Sequence, residues 1–136
     1  MTLLDHLPAL VVLLPLFAAP LCVLIDRARP AWLLSLIASL LSLAAAITLL
    51  MHVSRSGTIR YQLGGWAAPW GIEYRIDLLG AYVLLIVSAI APLVMVFALR
   101  SVEKEIPRER IARFYAAMLL VFAGLAGITV TGDAFN

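Results

Sequence analysis

Four long apolar runs and one alternating stretch make up most of this chain. The runs cover residues 7–25, 31–53, 78–99 and 111–131. The first is closed by Asp26-Arg27-Ala28-Arg29-Pro30 and contains no charged residue. As a helix it would reach about 28 Å, close to the thickness of a bilayer's hydrocarbon core. Met1 to His6 contains Asp5 and His6 but no Lys or Arg. That is the wrong start for a secretory signal peptide, so a retained transmembrane helix is expected. Pro15 and Pro20 inside this run predict bends that packed membrane helices tolerate, and Pro92 lies in the second half of the third run.

The stretch 57–77, GTIRYQLGGWAAPWGIEYRID, follows a different period. Ile59, Tyr61 and Leu63 alternate with Thr58, Arg60 and Gln62; beyond the middle, Ile72, Tyr74 and Ile76 alternate with Glu73 and Arg75. Alternation of this kind predicts two half-buried strands. Gly64 to Gly71 between them is too rich in turn formers to continue a helix. A β-hairpin on the membrane surface is expected, with Trp66, Trp70 and Tyr74 at headgroup depth. Trp32 and Tyr115 are expected as further interface anchors.

Composition strengthens the membrane reading. Of 136 residues, 64% are hydrophobic and 13% charged, more apolar surface than a soluble domain of this length can hide. The expected fold class is therefore an all-α integral membrane protein: four transmembrane helices in a single domain, 1–136, with the hairpin between helices 2 and 3. Seven of the ten Lys and Arg residues fall at 26–30 and 100–113, against Arg55, Arg60 and Arg75 elsewhere. The positive-inside rule then places those two loops in the cytoplasm and the termini and hairpin on the extracytoplasmic side. This charge pattern speaks of topology and gives no sign of nucleic-acid binding.

A search for chemistry finds little. No Asp, Glu, Lys or Arg lies in the middle of a run, so no proton relay can be assembled from these segments. His6 and His52 lack a third partner for a metal, and the single cysteine, Cys22, reads as a small core residue; no cofactor is expected. Ser35, Ser39, Ser42 and Ala46 share one helical stripe, and Ala116, Ala123 and Gly127 share another. Both read as close-packing faces. Asp77 and Asp133 each precede a helical pattern and are expected as N-caps. Asp133 has a second reading as an ion-pathway carboxylate. Asp133→Asn in the assembled protein separates the two, since a pure cap would leave coupled transport intact.

The order of these elements resembles a known family. Two helices, then Gly64-Gly65-Trp66 and Pro69-Trp70-Gly71-Ile72, a long helix, a charged loop and a helix ending in Thr131-Gly132-Asp133-Ala134-Phe135-Asn136 resemble the start of antiporter-like membrane subunits. These include the D-type subunit of Mrp-type multisubunit sodium/proton antiporters, which the tryptophan elements resemble most. Also included are proton-pumping subunits of NADH–quinone oxidoreductase and of membrane-bound hydrogenases. The resemblance implies a bacterial inner-membrane location, other subunits of a multisubunit complex as partners, and monovalent cations and protons as cargo. It also implies about fourteen helices built on inverted repeats, with a pathway glutamate on the fifth helix and lysines on later broken ones. No position here matches those residues. The expectation is the N-terminal segment of such a subunit, not transport-competent alone and not an enzyme by itself. The alternative is a four-helix accessory subunit of a respiratory or photosynthetic complex. A compact four-helix drug exporter is discarded for want of an intramembrane acid.

Overall fold

The structure, a computed structural model, describes residues 3–66 and 69–131. After a short 3₁₀ turn, α1 spans Leu7–Ile25 and α2 spans Ala28–Ser56. Strands β1 (Ile59–Gln62) and β2 (Glu73–Ile76) follow, then α3 (Leu78–Glu105) and α4 (Arg108–Val130). All four helices are long and apolar enough to cross a membrane.

The ends of these helices follow from local chemistry. Between α1 and α2 lie only Asp26 and Arg27, with Asp26 in the left-handed region at φ 49°. Aspartate is one of the few residues that accept this conformation as a single turn residue. Pro30 sits in the first turn of α2, where a missing N–H costs nothing because no carbonyl precedes it to be paired. Helix α2 therefore begins before the apolar run does. Helix α3 likewise continues six residues past its run, through Arg100 to Glu105, and only Ile106 and Pro107 separate it from α4. Asp77 caps α3: its carboxylate accepts the Gly80 N–H at 2.7 Å.

The hairpin is antiparallel, pairing Ile59 with Ile76, Arg60 with Arg75, Tyr61 with Tyr74 and Gln62 with Glu73. Its strands turn through Gly64 and Gly65 at φ 69° and 77°, a backbone that glycine adopts without strain. Gly71 has a different reason to be small, since a Cβ there would run into the Trp66 carbonyl. One face of the hairpin lies on the bundle. Ile76 is wholly buried, while Ile59 and Tyr74 pack on the same apolar cluster as Leu7, Val11, Leu49, Leu84 and Val130. A bridge from Tyr74 to Thr131 ties β2 to the end of α4.

Helix α1 packs against both α2 and α4, and α2 packs in turn against α3. The contact residues are small. Ala31, Ser35, Ala38, Ser39, Ser42, Ala45 and Ala46 form the buried stripe of α2. Between membrane helices there is little hydrophobic driving force, so close approach across small side chains supplies the packing. Large apolar residues such as Leu24, Leu93, Phe97 and Ile128 lie on the outside, the arrangement expected of a bundle dissolved in lipid. A second apolar cluster, around Met95, Ile111, Tyr115 and Leu119, fills the end opposite the hairpin.

Candidate functional site

The buried polar atoms are where an ion path would have to be built, and nearly all are occupied by helix packing. Ser35 Oγ donates to the Ala31 carbonyl at 2.8 Å, and Ser39 Oγ donates to the Leu36 carbonyl at the same distance. Cys22 Sγ lies 3.5 Å from Ser35 Oγ. These side chains turn back onto their own helix or its neighbour, as small hydroxyls in apolar surroundings do. The serine stripe is a packing face with satisfied polar groups.

Ser42 does something more specific. Its hydroxyl donates across the interface to the Val11 carbonyl at 3.4 Å. Val11 stands four residues before Pro15, which has no N–H to return the helical bond. A hydroxyl on α2 thus serves the carbonyl that a proline in α1 leaves open. Ser42→Ala is expected to destabilise the bundle by about 1 kcal/mol. In a Pro15→Ala background, where residue 15 regains its donor, the same change should cost close to nothing. Unfolding of the four variants in mixed micelles measures this coupling.

Ser88 is the exception. It is fully buried in α3, and among the described residues its hydroxyl is the buried side-chain polar atom with no partner. Pro92 stands four residues on, so the Ser88 carbonyl also lacks its ordinary helical donor. Sequence reasoning passed over this spot, although a serine four residues before an intrahelical proline was the available signal.

At the hairpin end, a cavity of about 370 Å³ is lined by Asp5, His6, Thr48, His52, Arg60 and Tyr61 among others. His6 Nδ1 and the Tyr61 hydroxyl are 2.9 Å apart, and the two rings meet edge to face. Burial pushes the Tyr74 phenol above its ordinary range. Among the described residues no three His, Cys, Asp or Glu side chains are grouped as metal ligands would be.

The five aromatic side chains singled out by sequence fall in different settings. Trp66 and Trp70, at the hairpin turn, are 67% and 87% exposed. Tyr74 is half-buried against the bundle. Trp32 is also half-buried, and its Nε1 donates to the Met95 carbonyl at 2.7 Å, joining α2 to α3. Tyr115 is only 1% exposed. It shares the inward stripe of α4 with Ile111, Leu119 and Phe122, so its ring fills the core. Asp133 lies outside the described residues.

No protein-family model matches the chain. It is 37% identical over 134 residues to the NADH-quinone oxidoreductase subunit N of Desulforudis audaxviator, covering 96% of this chain and 26% of that protein. It is 30% identical over 133 residues to the D-type subunit of the Na(+)/H(+) antiporter of Bacillus subtilis, covering 97% of this chain and 26% of that protein. The fold matches a chain in the solved structure of the Mrp complex from Dietzia sp. DQ12-45-1b with a TM-score of 0.81 at 28% identity. That match covers 99% of this chain and 24% of the other. The chain thus spans about a quarter of the length of the relatives it matches. Matches of this extent across both branches establish it as a multi-pass membrane protein that belongs to the family of D-type antiporter subunits and NADH-quinone oxidoreductase subunit N.

Proposed function

We propose that these four helices form a supporting section of a monovalent cation/proton antiporter subunit, holding the membrane fold together without conducting ions on their own. One observation supports this reading above the others. Among the described residues every Asp, Glu, Lys and Arg lies at a helix end or in a connector, and nothing titratable with a charge sits in the middle of a span. A coupled pathway across hydrocarbon needs such groups, because an ion or proton must be handed between ionisable side chains or water.

In this proposal the hairpin and both termini face the extracytoplasmic side of a bacterial inner membrane. The support is the excess of basic residues at the opposite end, seven of ten. The neighbours are other subunits of a multisubunit complex, and the cations and protons move through segments other than these. Asp133, three residues after Val130 in the sequence, keeps its two readings as an ion-pathway carboxylate or a helix cap. The test is reconstitution of residues 1–136 into liposomes under a sodium gradient. Proton flux is expected to stay at the level of empty vesicles; robust sodium-dependent flux would overturn the proposal.

A further inference from the structure

At the end of the bundle opposite the hairpin, two cavities share walls formed by Arg29, Pro30 and Glu103. The first, of about 570 Å³, lies between α2 and α3 and is completed by Trp32, Leu33, Leu99 and Arg100. The second, of about 550 Å³, adds Arg27, Lys104 and Arg108. Their characters differ. One has a largely apolar wall, and its Leu33 is 50% exposed on the outer surface of the bundle. The other is lined by cations, and across both cavities five Lys or Arg side chains are set against a single carboxylate, Glu103.

An apolar slot beside a cationic basin is the negative of one kind of molecule, an acyl chain joined to an anionic headgroup. We propose that this paired cavity binds an anionic phospholipid. The phosphate sits among Arg29, Arg100 and Lys104, and a chain lies along Trp32, Leu33 and Leu99. Arginine forks suit phosphate oxygens, and basic pockets between membrane helices are a recurrent headgroup site. The Trp32 bond to Met95 holds the indole in the slot wall, so the apolar compartment is formed before any lipid arrives. Anionic lipid also answers a problem the fold creates. Five cations around the α1–α2 and α3–α4 turns line the two cavities against one carboxylate, and a phosphate between them relieves their mutual repulsion. The inference needs only that the chain spans a membrane and is independent of its role in transport.

The test uses the full chain in neutral detergent, with bound lipid counted by native mass spectrometry. Phosphatidylglycerol should be retained in preference to phosphatidylcholine of the same chains. Arg29→Gln with Arg100→Gln should weaken that retention about thirtyfold, at about 1 kcal/mol for each cation near a headgroup. Arg29→Lys with Arg100→Lys should keep most of it. Arg60→Gln with Arg75→Gln, at the hairpin end, should leave it unchanged. Leu99→Trp, which fills the slot and spares every charge, should also reduce retention. Equal retention of both lipids, or indifference to the glutamine pair, would overturn the proposal. So would displacement by equimolar inorganic phosphate together with indifference to Leu99→Trp, which would mark a site for free anions.

Discussion

Ile76→Ala is expected to destabilise the hairpin end of the bundle by about 2–5 kcal/mol, the usual cost of emptying a large buried side chain. Ile76 is the residue through which the hairpin is anchored. It is wholly buried, it pairs with Ile59 across the strands, and it packs in the cluster that joins α1, α2, α3 and α4 at that end. It also stands immediately before Asp77, the cap of α3. Emptying its site would therefore loosen the strand and the start of the helix together. Ile72, four residues earlier on the same edge, is exposed, and Ile72→Ala should change stability by less than about 0.5 kcal/mol. Unfolding in mixed micelles gives both values, and faster protease cleavage in the 63–72 turn would report release of the hairpin. Equal effects of the two substitutions would mean the hairpin does not dock as described.

The opposite change, adding volume, should be felt most at Ala46. Its side chain is wholly buried on the small-residue stripe of α2. Ala46→Leu is expected to cost about 1–3 kcal/mol, because a packed interface accommodates extra carbons only by forcing rotamers or moving a helix. Hydrophobicity cannot compensate, since leucine gains nothing by leaving lipid for protein. Ala44, two residues away on the outer face, should accept leucine with little change. The pair separates steric packing from general apolarity, and unfolding of the two variants side by side is the measurement.

Much of this architecture could be read from residue patterns. The switch from long apolar runs to a period of two marked the hairpin, and Ile59, Tyr61, Tyr74 and Ile76 do share its inner face. The small residues of α2 announced a buried stripe, and Asp77 announced a cap. Helix ends were less legible. Hydropathy falls where Arg100 to Glu105 begin, but a helix leaving the hydrocarbon core has no reason to stop there, so α3 runs on. Pro30 looks like a barrier in a run of letters, yet it is harmless in a first turn. Side-chain roles were least legible of all. The bond of Trp32 to a carbonyl of α3 and the burial of Tyr115 in the core could not be read from the sequence. Those outcomes depend on which helix lies opposite, which periodicity along one helix does not encode. The same holds for Ser42, whose partner Val11 is open only because Pro15 follows in a different helix.

The candidate site divides in the same way. The absence of charge from the middle of the spans was visible at once, and the structure adds that the remaining polar atoms are mostly committed to backbone carbonyls. The unpartnered Ser88 hydroxyl and the paired basic cavities emerge only when the helices are brought together.

If these helices support rather than conduct, the interior between α1 and α2 must be dry. The direct measurement is thiol accessibility in membranes, using Ser42→Cys in a Cys22→Ala background and a water-soluble maleimide. The account predicts no labelling at position 42 from either side, while Ser56→Cys and Lys104→Cys at opposite ends label from opposite sides. Rapid labelling at position 42 would reveal a hydrated passage through the bundle and contradict a purely supporting role.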